Sequence, residues 1–386
     1  MIKAHNFHIP VMGIGFSIDT PIKVAQFGID SVVSLVDDIL IEKVRKMYCT
    51  KLDIPYKEIS SKVKDFRAKR ITSYLNLISD IAEEKFNELK AKNINTEQIK
   101  EYFEMLPQNS SLKKEFDKLS TKNFSFSKIK EWFNENMQMG SIDVNIMTKV
   151  DKDNYEGKEK LPKEFNDAHA ALRGFANSHL ESSIVLSAGL NPHLYSYIST
   201  FNDFFPDTNG NIKKKIILKV SDYRSALIQG KFLAKKGIWV SEFRIESGLN
   251  CGGHAFASDG HMMGIILEEF KNKRNELKET LFELLSENLK STGKTIPQEP
   301  LDIKFSAQGG IGTNEEHSFL LNYYNLNSIG WGTPFLLVPE VANVDKTTLN
   351  LMVNAKEDDL YLSDISPLGI PFNSLKGNTK DIERLK

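Results

Sequence analysis

Short β-branched runs alternate with helical patterns along most of this 386-residue chain, and that alternation restricts its fold more than any other feature. Strands joined through helices lie parallel, because a parallel connection needs a crossover. Strand candidates fall at 9–16, 29–36, 142–149, 184–189, 215–220, 238–245, 303–307 and 327–330. Helical patterns fit at 162–181, 222–236, 261–292 and 314–325. A short helix also opens at Thr20, with Thr20 as N-cap and Pro21 in the first helical position. Eight strand–helix units predict the α/β class, as a (β/α)8 TIM barrel, with an open doubly wound sheet as the structural alternative. The glycines favour the barrel. Gly13, Gly15, Gly189, Gly252, Gly253, Gly309, Gly310, Gly330 and Gly332 all fall at the C-terminal ends of predicted strands. That is the face on which barrel enzymes build their sites.

The rhythm breaks over residues 45–137. Ile59, Val63, Phe66, Ile71, Leu75, Ile78, Ile81 and Phe86 lie near helical spacing with charged residues between them. This predicts a large helical insertion between strands 2 and 3. The expected organisation is a barrel over 1–44 and 138–345, an insertion over 45–137 and a C-terminal extension over 346–386, irregular from about 350, where Ser366-Pro-Leu-Gly-Ile-Pro-Phe372 is too turn-rich for a helix.

Composition narrows the classes of function. Lys and Arg total 50 against 51 Asp and Glu, a formal net charge of −1, which argues against generic nucleic-acid binding. No apolar run approaches the ~20 residues that cross a bilayer. Two cysteines, Cys49 and Cys251, make neither a disulfide framework nor a four-thiolate zinc site. The first residues lack the apolar core of a signal peptide, so the expectation is a cytoplasmic protein.

Three segments carry candidate chemistry. In the first, an apolar strand runs into Gly309, Gly310 and Gly312, followed by Thr313 and Glu316 in the spacing of a capping box. Glycines admit backbone N–H groups to a phosphate, and a helix start adds positive dipole. The second is Gly330-Trp-Gly332-Thr333, directly after the last strand, where barrels commonly complete a phosphate site. The third is Asn250-Cys-Gly252-Gly253-His254, whose glycine pair admits a flat ligand and whose histidine suits proton transfer near neutral pH. Lys219, at the end of the fifth strand, is placed either to stabilise a negative charge in the mouth or to reach solvent. Cys251 reads as a small buried side chain, with proton donation as the alternative. His261 has no acidic neighbours at ligand spacing, so no metal is expected.

Together these motifs resemble the FMN-dependent nitronate monooxygenase (2-nitropropane dioxygenase) family, to which flavin-dependent enoyl reductases are related. They occur in order as Met12-Gly13-Ile-Gly15, Val144-Asn145-Ile-Met147, Gly252-Gly253-His254, Ala307-Gln-Gly309-Gly310-Ile311 and Gly332-Thr333. The resemblance implies FMN as cofactor. Its phosphate would lie on Gly309 and Gly310, with Gly332 and Thr333 completing the pocket. Asn145 would bond the flavin ring, Met12 and Gly13 would lie near it, Gly252 and Gly253 would flank it, and His254 would be the catalytic acid/base. Lys219 is similar to lysines on strands of other FMN barrels. The activity implied is oxidation of a small nitronate-like carbon acid. The alternatives are an NAD(P)H-dependent enoyl-thioester reductase, whose insertion would dock an acyl-carrier protein, and a flavin-binding subunit of a larger complex. The insertion would equally serve as a homodimer surface. It departs from the family pattern, as does the approach Ser247–Cys251 to the glycine pair.

Overall fold

The computed structural model describes residues 4–12, 17–35, 37–91, 99, 102–104, 106, 110–121, 126–146, 151–187, 189–246, 263–332, 335, 338, 341, 344–363 and 372–386. Eight strands are β1 (Phe7–Ile9), β2 (Asp30–Ser34), β3 (Ile142–Ile146), β6 (Ser183–Leu186), β7 (Lys215–Val220), β8 (Val240–Glu246), β9 (Lys304–Gln308) and β10 (Ser328–Gly330). They close on themselves in the order β1-β10-β9-β8-β7-β6-β3-β2, and every pairing is parallel. Two small hairpins, β4–β5 (Tyr155–Glu156 with Glu159–Lys160) and β11–β12 (Leu360–Ser363 with Phe372–Leu375), stand apart from the barrel. The fold is thus a (β/α)8 barrel, as the alternation predicts.

Three local expectations are corrected. The first strand is shorter and earlier than 9–16, spanning Phe7–Ile9, because Pro10 has no N–H to extend the ladder. The short helix α1 (Thr20–Val24) begins one residue earlier than expected, so Asp19 and not Thr20 is its N-cap. The tail from about 350 is more ordered than expected among the described residues, while most of the turn-rich stretch 366–372 lies outside them. Asp345 accepts from the Thr347 and Thr348 amides and starts α11 (Lys346–Asn354), the β11–β12 hairpin follows, and Asn378 caps α12 (Thr379–Arg384).

The helical stretch after β2 divides between two cores. Helices α2 (Asp38–Lys51) and α3 (Phe66–Lys90) place Ile41, Val44, Tyr48, Ile71, Tyr74, Leu75 and Ile78 in the same apolar cluster as the outer faces of the strands. Charges fasten this layer. Asp38 pairs with Arg67 at 3.2 Å and Arg70 at 2.7 Å, and Arg67 reaches Asp167 at 3.1 Å, at the start of α6 (Asp167–Ala176). Residues 99–137 form a separate cluster. Helices α4 (Ser111–Thr121) and α5 (Phe126–Asn136) enclose Tyr102, Phe103, Phe116, Ile129 and Phe133, which meet the barrel chiefly at Ala4 and Phe27. The remaining helices are α7 (Pro192–Ile198), α8 (Tyr223–Ala234), α9 (Met263–Ser291) and α10 (Asn314–Tyr323). Among the described residues, no helix is long and apolar enough to cross a membrane.

One buried cation closes the end of α6. Lys214 is 2% exposed, and its ammonium donates to the carbonyls of Phe175 (3.0 Å), Ser178 (2.8 Å) and Leu180 (2.5 Å). A helix leaves its last carbonyls without internal donors, and a cation there also meets the negative end of the dipole. Burial pushes the Lys214 pKa down to about 8, so the group is still charged at neutral pH and can serve all three acceptors. Lys214→Met should therefore lower unfolding free energy by about 3 kcal/mol, the cost of leaving buried acceptors without a donor. Urea denaturation at pH 7 checks this, and a loss well under 1 kcal/mol contradicts it.

Candidate functional site at the barrel mouth

Strand alternation sorts the barrel residues into two environments. Ile142, Val144 and Ile146 on β3, Ile216, Leu218 and Val220 on β7, Phe243 and Ile245 on β8, and Phe305 and Ala307 on β9 join the cluster that packs under the helices. Their neighbours face the lumen. On one wall these are apolar, with Val32, Val185 and Ile217 forming a small cluster with Val11. On the opposite wall they are polar and charged. Most barrels fill this space with layers of branched apolar side chains.

The polar wall has two tiers. In the lower, Glu242 Oε1 accepts from Arg244 Nε at 2.9 Å and from Ser306 Oγ at 2.5 Å, and Arg244 Nη2 lies 3.8 Å from Asp143 Oδ2. Burial alone would raise the Glu242 carboxyl, but the Arg244 guanidinium and the Ser306 hydroxyl hold it down at about 2. A register shift between Ile216 and Ile217 on β7, opposite Val240 and Glu242, turns Glu242 inward. In the upper tier, Gln308 bridges two neighbours. Its amide nitrogen donates to Glu246 Oε1, and its Oε1 accepts from His8 Nε2 at 3.1 Å. His8 Nδ1 in turn accepts from Ser328 Oγ at 2.9 Å. His8 is therefore held as a neutral imidazole. Burial, reinforced by the nearby Arg244 charge, lowers its pKa to about 3. Gly330 makes this tier fit, because a Cβ there would sit 2.5 Å from Gln308 Cβ and 2.8 Å from His8 Nε2.

Lys219 completes the upper tier. Its ammonium lies 3.4 Å from Glu246 Oε1, and its side chain is only 14% exposed. Of the two readings of this lysine, the structure has it in the mouth, paired with a carboxylate, and not extended into solvent. Asn145 also faces the lumen from β3, half-buried, and its amide has no hydrogen-bond partner among the described residues. Met12 is half-buried and its side chain packs with Ile9, Val24 and Val341, outside the lumen.

The turn after β9 is the glycine-rich shelf. Gly309 and Gly310 adopt φ values of 104° and 74°, a region that favours glycine. The amides of Gly310 and Ile311 meet no acceptor among the described residues. Gly332, after β10, is open as well, since a Cβ there would find only Pro10 Cγ, at 3.6 Å. The helix start is a different matter. Thr313 and Glu316 form the expected capping box, and Glu316 Oε2 accepts from the amides of Gly312 (2.9 Å) and Thr313 (3.1 Å). Those two donors are already used, and they keep the Glu316 carboxyl below its usual pKa. The donors left for an anion in this turn are thus the Gly310 and Ile311 amides, while the first turn of α10 is held by a resident carboxylate. Gly13, Gly252, Gly253, His254, Thr333, Cys251 and His261 lie outside the described residues. Among the described residues, no group of three or more His, Cys, Asp or Glu is arranged to hold a metal ion.

The sequence reading named Lys219 and Asn145 in this mouth but missed their companions His8, Glu242, Arg244, Glu246 and Gln308. A signal for them existed. A parallel strand covered on both faces should be continuously apolar, and β8 instead places Glu242, Arg244 and Glu246 at every second position.

The fold and mouth thus define an α/β barrel with a charged lumen and a glycine shelf on its C-terminal rim. No family model matches the sequence, and no curated protein matches it. Among solved structures, the chain is similar to the enoyl reductase domain of MlnA from the macrolactin biosynthesis cluster of Bacillus amyloliquefaciens. Identity is 15% and the TM-score 0.37, over 67% of this chain and 57% of that one. A likeness of that degree assigns no residue here.

The buried histidines make stability depend on acid. His8 is neutral in the fold down to about pH 3 and His5 down to about 4, both because burial disfavours the charged ring, whereas the unfolded chain protonates near 6.5. Their contribution is complete above pH 6.5 and is lost as pH falls toward those values, by up to ~1.4 kcal/mol per pH unit for each ring. Glu242 acts lower, because stability gained from a carboxyl held at about 2 is lost only below 4.5. Between pH 6.5 and 4.5, His8→Gln should therefore reduce the slope of unfolding free energy against pH by about half. An unchanged slope across a urea-denaturation series would show that His8 is protonated in the fold.

Proposed function

We propose that this chain is an FMN-dependent oxidoreductase working at the C-terminal mouth of the barrel. The observation that carries the reading is the shelf itself: two glycines at positive φ, with the Gly310 and Ile311 amides unspent among the described residues, on the strand next to the one that leads to Gly332, above a lumen with an ion-paired lysine. Gly309, Gly310 and Gly332, with Thr333, would hold the phosphate through backbone N–H groups that no Cβ obstructs. Asn145 has an amide free to hydrogen-bond the flavin ring. Gly13 would lie at the ring's edge with, at most, the backbone of Met12, whose side chain packs away from the lumen, and Gly252 and Gly253 would let backbone approach the ring's face. FMN, when bound, supplies a ring that accepts and returns a hydride or electron pair.

The chain's own residues would then set the surroundings. Lys219 presents a fixed positive charge to a ring edge that becomes negative on reduction. Glu246 orients that ammonium and also offsets it, so the stabilisation is weaker than an unpaired lysine would give. The neutral His8 and Gln308 leave the Lys219–Glu246 pair as the charged groups of this tier among the described residues. His254 would hold or move the substrate proton. The finer reading is oxidation of a nitronate-like carbon acid with oxygen. Reduction of an enoyl thioester with NAD(P)H uses the same constellation.

The purified protein should be yellow with two visible absorption bands, release FMN on heating, and quench FMN fluorescence on reconstitution. A colourless protein that leaves FMN fluorescence unchanged overturns the proposal. Anaerobic mixing separates the two chemistries: bleaching by a nitronate supports the first, while bleaching by NADH or NADPH with recovery on adding an enoyl thioester supports the second. Glu316→Ala is a finer probe. It frees the Gly312 and Thr313 amides and should tighten FMN binding about threefold if the phosphate lies against this helix start. Unchanged affinity would place the phosphate away from the helix start, on the Gly310 and Ile311 amides alone.

A further inference from the structure

The opposite, N-terminal end of the barrel is also open. A cavity of about 630 Å3 is lined by the first residues of four strands and by two loops. Barrels normally keep this face for stability. A space of that size lies within the range of small-molecule sites, roughly 300–1,000 Å3.

The walls are built. In the loop over 207–212, Asp207 Oδ1 accepts from the amides of Asn209 (2.9 Å) and Asn211 (2.8 Å). In the loop over 297–302, the Asp302 carbonyl accepts from the Trp239 indole at 3.0 Å. The two loops meet where Gly210 approaches Leu301 so closely that a Cβ would lie 2.8 Å from its Cδ2.

Several groups converge on the cavity. Lys215 and Lys304 sit two residues before Ile217 and Ser306, so alternation turns both toward the lumen. Among the described residues, the Lys304 ammonium, the Ser183 and Ser241 hydroxyls and the Gln298 amide have no hydrogen-bond partner. At depth, Glu242 offers its second oxygen. Oε1 serves Arg244 and Ser306, and Oε2 has no partner among the described residues. The rim carries Lys215 and Lys304 together with Glu299 and Asp302, and Asp302 is answered from outside the cavity by Lys278 at 3.1 Å. The two lysines above a carboxylate acceptor suit a molecule with an anionic group at one end and a hydrogen-bond donor at the other.

We propose that this cavity binds a small hydroxylated organic anion, a phosphate ester or a hydroxy acid, with its anionic group on Lys215 and Lys304 and a hydroxyl donated to Glu242. The site lies on the far side of the Arg244 tier from the glycine shelf and is independent of the FMN reading.

Titration calorimetry of the full chain at constant ionic strength tests it, with glycerol 3-phosphate, D-glycerate, inorganic phosphate and glycerol as probes. One of the two organic anions should bind with 1:1 stoichiometry, and which one decides between phosphate and carboxylate. Glycerol, which lacks the charge, should not bind. Lys304→Gln should weaken the interaction about tenfold or more, the loss of one charge-assisted hydrogen bond. Ser241→Trp, which fills the cavity, should abolish it. The proposal fails if neither organic anion binds at up to about 10 mM, a ceiling already in the weakest range of specific binding. It fails equally if inorganic phosphate binds as tightly as glycerol 3-phosphate, or if Lys304→Gln, with its fold verified by circular dichroism, binds like the parent.

Discussion

Everything inside this barrel is arranged around the Arg244 guanidinium. It is 2% exposed, inside a closed ring of strands, so its charge must be answered where it stands. Glu242 does so directly, Asp143 stands at 3.8 Å, and Ser306 fixes Glu242 from the neighbouring strand. Breaking such a buried pair by removing one partner costs about 3–5 kcal/mol, because the other is left uncompensated. The same charge helps keep His8 neutral, and a neutral His8 lets Gln308 turn its amide nitrogen to Glu246. Glu246 is then placed to meet Lys219 at the mouth. The electrostatics of the rim thus depend on a residue one tier below it.

The two ends of the lumen inherit different characters from this tier. Toward the C-terminal rim, the side-chain interactions are made side chain to side chain, and the unspent groups among the described residues are backbone amides of the glycine turn together with the Asn145 amide. Toward the N-terminal rim, the unspent groups are side chains: an ammonium, hydroxyls and one carboxylate oxygen. The first set suits the terminal phosphate of a mononucleotide that approaches closely. The second suits a smaller, mobile molecule held by longer arms.

How much of this could be read from the sequence follows the strength of each local signal. The eight strands and most of the helices after residue 140 were visible because β-branched runs and turn residues alternate cleanly there. The capping box of Thr313 and Glu316 was visible too, since it depends only on spacing. That Glu316 would occupy two amides of the anticipated anion site was implicit in the same motif, but the pattern does not say which of two acceptors a donor takes. β1 was misplaced because Ile9-Pro-Val-Met reads as one apolar run until Pro10 is recognised as its end. The lumen charges were hidden for a different reason. They sit inside strands otherwise rich in Ile, Leu and Phe, and composition averaged over such a strand masks a period of two. The helices after β2 all read as amphipathic, and amphipathicity alone does not tell which apolar stripe meets the barrel and which meets its neighbours.

That last division has an evolutionary side. The cluster around Tyr102, Phe103, Phe116 and Phe133 has its own interior and meets the rest of the fold through Ala4 and Phe27 and through Phe86 and Leu89 in the last turns of α3, while α2 and the body of α3 share the core of the barrel. A segment that carries its own interior can be gained, lost or replaced between lineages without reopening the ring of strands. Sequence drift should accordingly run faster in residues 99–137 than in the two helices before them, and the boundary of that tolerance should fall where α3 ends.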